Sequence, residues 1–278
     1  MKTQLKLRKL KFPLTAFAFL AVSMLFIAGC KKDKAVAVSK TFVLVHGSFQ
    51  GPWAWQFVQS QLIAAGQKVV VVELPGHGSD QTSPATLTLN SYRDKVVAAI
   101  TAINGPVVLV GHSLGGAVIT AVADTIPTHI EKLVYLAGFI PTNGQSVIDL
   151  NMMDPNSQLT PALVPSADFT TASVADSLLL PIFCQDGSAA INQLLITNNR
   201  PEPAAPLYSK IVLSHPTATA KIPKYYIHTT NDRCITITLQ NQMVATAGIT
   251  NLYSIASSHS PHLSMPDKVT AILLDIIK

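Results

Sequence analysis

The run Val107-Val108-Leu109-Val110-Gly111-His112-Ser113-Leu114-Gly115-Gly116 limits what this chain can fold into more than any other stretch. Four consecutive apolar residues read as a strand buried on both faces, and G-x-S-x-G turns that strand directly into the apolar helix at Ala117–Ala123. A strand buried on both sides belongs to a parallel sheet with helices above and below, so further strand–helix units must lie elsewhere in the chain. The turn itself is sharp enough to strain Ser113, and Gly111 and Gly115 leave space where side chains would collide. It aims the backbone N–H of Leu114 at the space beside the serine hydroxyl, next to the positive end of the following helix.

The required units are present. Apolar, β-branched runs at Phe42–Val45, Val69–Val72, Leu133–Leu136, Tyr225–Ile227 and Leu252–Ile255 join Val107–Val110 as six expected strands. Helical patterns at Trp53–Ala65, Ser91–Ile103, Leu114–Asp124, Thr238–Ala247 and Asp267–Ile277 supply the crossovers. With 278 residues, 48% hydrophobic and 13% charged, the chain suits one large α/β domain or two small ones and is too apolar for a disordered tail. Residues 141–215 interrupt the rhythm between the fourth and fifth strands. A structureless loop of that length is unusual in a compact domain, so this segment is expected to be an inserted cap, mostly helical, with helices near Ser173–Leu180 and Ser188–Ile196.

The formal charge of +5 is unevenly distributed. Lys2, Lys6, Arg8, Lys9 and Lys11 precede the apolar run Phe12–Ala28 without an acid, and Lys31, Lys32, Lys34 and Lys40 follow it against Asp33 alone. Residues 41–278 therefore hold 11 basic and 14 acidic residues, and nucleic acid is not an expected partner. The start has the positive, apolar and small-residue regions of a secretory signal, and Ile27-Ala28-Gly29-Cys30 resembles a bacterial lipobox. The resemblance implies a signal peptide over residues 1–29, lipidation of Cys30, a tether over residues 30–40 and a location in the bacterial cell envelope. An uncleaved membrane anchor is the other reading, but the apolar run is marginal for a span of about 20 residues. Cys184 and Cys234 fit no metal-ligand spacing and read as separate small hydrophobes, with a disulfide between them left open.

A second glycine-bearing loop, His46-Gly47-Ser48-Phe49-Gln50-Gly51-Pro52-Trp53, ends the first strand and can present the N–H of Ser48 to the same space as that of Leu114. Phe42–Gly47, the Trp53-x-Trp55 pair, Glu73-Leu74-Pro75-Gly76-His77-Gly78, Gly111–Gly116 and Leu133–Phe139 together resemble the α/β-hydrolase superfamily. They are most similar to its branch of plant methyl esterases, hydroxynitrile lyases and bacterial pyrethroid-hydrolase-like esterases. The resemblance covers nearly all of Thr41–Lys278 and is weakest over Thr142–Arg200. It implies an α/β-hydrolase fold for residues 41–278: a mainly parallel six-stranded sheet flanked by helices, carrying the cap.

The resemblance also implies a Ser, Asp, His order, because a serine hydroxyl needs a base and the base an orienting carboxylate. Ser113 is the expected nucleophile. His259, in Ser258-His259-Ser260-Pro261-His262, follows the last strand and is the expected base, with His262 second. Asp232 follows Tyr225–Ile227 and is the expected acid; the stretch Ala137–Ile140 after the fourth strand offers no carboxylate. His46, His112, His129, His215 and His228 read as structural or solvated, and His77 as a further candidate to line the site.

Three classes of function are compatible with this pattern: serine carboxylester hydrolysis, hydroxynitrile cleavage on the same triad, and ligand binding without catalysis. The lyases of this branch carry a lysine after the histidine and a threonine in the first oxyanion loop, where this chain has Ser260 and Gly47. A pure binder has no need of an intact Ser113, Asp232 and His259. The expected chemistry is an acyl-enzyme on Ser113 with the oxyanion held by the N–H groups of Ser48 and Leu114, without metal or cofactor. Apolar residues in the cap, among them Met152, Met153, Leu178, Leu180 and Ile182, and the lack of clustered Arg or Lys point to small or medium, neutral, hydrophobic esters. Substrate contacts are expected from Phe49, His112, Phe139, Met152, Leu179 and Phe183. The oligomeric state is left open, a dimer being one option.

Overall fold

A computed structural model describes residues 39–278. The expected signal and Cys30 lie outside the described residues. No helix among the described residues is long and apolar enough to cross a membrane.

In chain order the first half contains β1 (Thr41–Val45), α1 (Gln56–Ala64), β2 (Lys68–Val72), α2 (Leu89–Thr101), β3 (Val107–His112), α3 (Leu114–Thr125) and β4 (Ile130–Leu136). The insertion then supplies α4 (Val147–Asn151), β5 (Val164–Pro165), β6 (Thr171–Ser173), α5 (Asp176–Phe183), α6 (Ala189–Asn198), β7 (Glu202–Pro203) and α7 (Ala204–Tyr208). The return is made by α8 (Pro216–Ala220), β8 (Lys224–Thr229), α9 (Ile237–Ala247), β9 (Asn251–Ile255), α10 (Pro261–Ser264) and α11 (Pro266–Ile276).

Six strands form one sheet in the order β2-β1-β3-β4-β8-β9, and every neighbouring pair is parallel. The side-chain period of two sorts each strand onto two faces. Val43, Val45, Leu109, Leu133, Tyr135 and Tyr226 pack with Tyr92, Val96 and Ile100 of α2, Val118 and Val122 of α3, and Leu239 and Met243 of α9. Phe42, Leu44, Val108, Val110, Val134 and Ile227 pack on the other side with Trp55, with Val58 and Leu62 of α1, and with Val269, Leu273 and Ile276 of α11. Burial on both faces is why these runs lack polar alternation.

The chain moves outward from β1 to β2 and then returns across β1 to β3. α1 and α3 pack on opposite faces of the sheet, so the chain leaves the carboxyl ends of the neighbouring strands β1 and β3 in opposite directions, and such a switch point is the usual ligand position in open parallel sheets.

All six expected strands are present, with β4 starting earlier, at Ile130, and β8 running on to Thr229. The cap contains helices as expected, although the first expected one lies at Asp176–Phe183. It also contains a small antiparallel sheet in the order β5-β6-β7 that no sequence pattern announces. Strands of two or three residues are too short to show a period of two. Ser146 and Asp149 form a reciprocal capping box that starts α4, with Ser146 N–H on Asp149 Oδ2 at 2.7 Å and Asp149 N–H on Ser146 Oγ at 3.2 Å.

Candidate active site

Ser113 occupies the turn between β3 and α3 with φ 55° and ψ −123°, a conformation rarely adopted by residues with a side chain. It persists because its neighbours are fixed on all sides. Its N–H donates to Leu136 O at 3.3 Å and its carbonyl accepts from Gly116 at 2.9 Å and Phe139 at 3.0 Å. Gly111 has no room for a side chain, since a Cβ there would stand 2.5 Å from Gly115 O. Gly47 in the loop after β1 is equally constrained. A Cβ there would lie 2.7 Å from Ser113 Cβ and 3.0 Å from His112 Nδ1, so the loop carrying Ser48 lies directly against the serine.

Asp232 and His259 follow β8 and β9, so Ser113, Asp232 and His259 all emerge at the carboxyl ends of parallel strands, along one edge of the sheet. His259 Nδ1 is 2.7 Å from Asp232 Oδ2, with both side chains at most 1% exposed. With Nδ1–H donated to the carboxylate, Nε2 is left free to accept a proton. The carboxylate is itself saturated: Oδ1 accepts from the N–H groups of Cys234 at 2.7 Å and Ile235 at 2.9 Å, and Oδ2 from Thr229 Oγ1 at 2.8 Å. Gln240 Nε2 adds a longer bond to Oδ2 at 3.3 Å. Donors fixed in this way hold the carboxylate in place.

Asp232, Cys234 and His259 also bring potential metal-ligand atoms within 4.8 Å of one another. Burial raises the Cys234 thiol well above its usual range, and a metal needs the thiolate. The other two donors already face each other, so the set is built for a hydrogen bond. Cys184 and Cys234 are both free and buried.

Three expected substrate contacts, Phe49, Phe139 and Phe183, line one narrow cavity with Ser48 and Ser113. Phe49 has φ 60° and its ring packs 5.6 Å from that of Phe183. Phe183 in turn stands 6.2 Å from the His259 ring. The remaining walls are Val147, Ile148 and Asn151 of α4, Leu159, Leu163 and Leu207.

The other three expected contacts do not line this cavity. Met152 is 70% exposed, because it follows the last turn of α4 on the side away from the cavity. Leu179 points into the core beneath the cap. His112 lies behind the serine and donates from Nε2 to the carbonyl of His259 at 2.9 Å, which fixes the backbone of that histidine. Burial, reinforced by His262 and His259, holds the His112 pKa well below its usual value. His262, the second candidate for the base, is buried against Trp55 and donates to Gln50 Oε1 at 3.3 Å. Burial and then His259 push its pKa down to about 3.

Glu202 was not expected from sequence. This cap residue is fully buried, and its Oε2 accepts from Phe49 N–H and faces His77 Nε2, each at 2.9 Å. His77 therefore stands behind the loop after β1 and does not line the cavity. No motif marks Glu202; an acid in the apolar, proline-rich return Arg200-Pro201-Glu202-Pro203 was the available signal.

A parallel sheet whose third strand feeds a strained serine, with an Asp–His pair after its last two strands and a cap over the crevice, defines the α/β-hydrolase class. The family model described as the alpha/beta hydrolase family matches residues 42–272, and the chain belongs to that family. A chloroplastic Arabidopsis thaliana protein with the provisional name methylesterase 11 is 31% identical over 250 residues, 85% of this chain and 64% of that protein. The chain thus spans less than two thirds of the length of this relative. The structure of polyneuridine aldehyde esterase matches with a TM-score of 0.77 at 23% identity, covering 86% of this chain and all of that one, which shows a shared fold. An extracellular α/β-hydrolase from a Paenibacillus species, described as sharing homology with tobacco salicylic acid binding protein 2, matches with a TM-score of 0.72. It is 27% identical over 85% of this chain and 98% of that one.

Proposed function

We propose that this protein is a serine carboxylesterase acting on small to medium, neutral, hydrophobic esters. The observation that carries the reading is a strained Ser113 on the cavity together with a buried His259 whose Nδ1 is committed to Asp232 at 2.7 Å. Ser113 attacks the ester carbonyl while His259 Nε2 takes its proton. The N–H groups of Ser48 and Leu114 hold the oxyanion, and His259 returns the proton to the leaving alcohol. Water then cleaves the acyl-enzyme through the same groups. Asp232 keeps the tautomer and stabilises the imidazolium. The similarity to methylesterases supports an ester substrate, and the apolar walls support hydrophobic groups on it. No step requires a metal or an organic cofactor.

The reading includes export: signal cleavage before Cys30, lipidation of its thiol, and a domain tethered to a membrane of the cell envelope through residues 30–40. The basic residues in that tether favour anionic head groups. Metabolic labelling with an alkynyl fatty acid tests it, and the label should vanish in Cys30→Ala.

The enzymatic reading is tested by hydrolysis of p-nitrophenyl acetate and butyrate by the soluble form starting at Lys31. Ser113→Ala should lower kcat by about five to six orders of magnitude. Equal rates for the two proteins would refute it, and cyanide release from mandelonitrile above background would favour the lyase instead.

A further inference from the structure

Besides the Ser48 hydroxyl, the cavity beside Ser113 contains one polar side chain that ester cleavage does not use. Asn151, the last residue of α4, is 5% exposed and lines the same cavity as Ser113 and Phe183. Its Nδ2 donates to Thr160 Oγ1 at 2.9 Å, whereas its buried Oδ1 has no hydrogen-bond partner among the described residues. Val147, Ile148, Leu159 and Leu163 contribute the neighbouring cap walls, and none of their side chains has a group that could pair with it.

The amide is held where it is. The Ser146–Asp149 capping box anchors the start of α4, and Asn151 O accepts from Asp154 N–H at 3.1 Å just beyond its end. Asp154 is in turn tied to Thr236, accepting its N–H at 2.7 Å and its hydroxyl at 2.8 Å. A buried acceptor in an apolar pocket is costly when unpaired and is usually matched by whatever fills the pocket.

We infer that Asn151 is a recognition site for a hydroxyl group carried on the otherwise apolar body of the substrate, an assignment that rests on the esterase reading. An amide presents an acceptor and a donor side by side, and a hydroxyl group both donates and accepts, so the two match in either orientation of the amide. A substrate with a methyl group in that place leaves the already buried Oδ1 unpaired, so the site favours the hydroxyl over its isostere.

The experiment uses methyl phenylacetates in matched pairs that differ only by a hydroxyl or a methyl at the ortho, meta or para position. Each is assayed with the soluble wild type and with Asn151→Leu. In the wild type, kcat/KM is about 10- to 100-fold higher for the hydroxyl member of at least one pair, and Asn151→Leu brings that ratio close to one. The absence of a hydroxyl preference in every pair overturns the assignment, as does a preference of the same size in both proteins. If Asn151→Leu fails to fold, Asn151→Ala replaces it and the wild-type ratios decide on the same criterion. Failure of the esterase reading has a different signature, in which wild type and Ser113→Ala are equally slow on every ester. Dissociation constants for the same pairs, measured calorimetrically on Ser113→Ala, then decide: tighter binding of a hydroxyl member by about tenfold supports the site, and equal binding overturns it.

Discussion

His77 Nε2 lies 2.9 Å from Glu202 Oε2, in a pair that joins the core loop after β2 to the cap and is at most 1% exposed. The other ring nitrogen faces Pro75 O at 3.1 Å, so both nitrogens point at acceptors, an arrangement that favours the protonated ring. Burial pulls its pKa down, but the Glu202 carboxylate outweighs this and raises it above the ordinary 6.5. Three neighbours complete the surroundings. His46 is kept neutral with a pKa of about 3, by burial and then by the His77 charge. Arg200 Nη1 donates to Gly78 O and Asp80 O at 2.7 and 2.9 Å, and the Tyr92 ring packs edge-on at 5.5 Å.

Because the folded pKa of His77 is raised, the pair contributes fully below the unfolded value of 6.5, and its contribution is lost as pH rises through the folded value. Urea unfolding of wild type and His77→Gln should therefore show a stability gap that is largest at mildly acidic pH and shrinks in alkali. Glu202→Leu breaks the buried contact with His77 and removes the acceptor of Phe49 N–H, and should cost about 3–5 kcal/mol. A gap that does not change with pH would mean that His77 is neutral in the folded protein.

The strain at Ser113 predicts a trade between stability and activity. Glycine adopts φ 55° without penalty, so Ser113→Gly should abolish ester turnover yet raise stability by about 1 kcal/mol, read as a higher urea midpoint.

Gly47→Ala tests the close approach of the loops that carry Ser48 and Ser113. The added methyl would meet Ser113 Cβ at 2.7 Å, and both loops are buried and backbone-bonded. Displacing them should lower kcat about 100-fold and destabilise the fold by about 1–3 kcal/mol. Parallel measurement of kcat and of the unfolding midpoint separates the two effects.

The cysteines should be silent until the protein unfolds. Burial pushes the Cys184 thiol up to about 12 and the Cys234 thiol well above its usual range. In the form starting at Lys31, a thiol-reactive disulfide reagent should label neither cysteine in native protein and both in denaturant. Rapid labelling of native protein would show that the cap opens over this region.

Residues whose role depends on local geometry were legible in the chain. Ser113 sits in a strand–turn–helix motif whose spacing determines its own backbone conformation, and the positions of Asp232 and His259 relative to β8 and β9 followed from the resemblance to a known hydrolase branch. Glu202 and Asn151 were not legible. Glu202 meets His77 across 125 residues and Phe49 across 153, and neither separation leaves a local signature. His112, an expected substrate contact, instead donates to the carbonyl of His259 across 147 residues, a pairing with no local signature either.

The sequence by itself determined the alternation of buried strands and helices, the strained turn at Ser113, and the uneven charge that separates residues 1–40 from an acidic remainder. Each of these depends on neighbours a few residues apart, through side-chain period, glycine geometry or composition. Only the tertiary structure decided which cap side chains line the cavity, that the buried Glu202 ties the cap both to His77 after β2 and to the loop bearing Ser48, and that Asn151, whose Oδ1 is unpaired, lines the same cavity. Those outcomes depend on how far α4, β7 and the loop after β1 approach one another, a balance of packing between segments that no local pattern encodes.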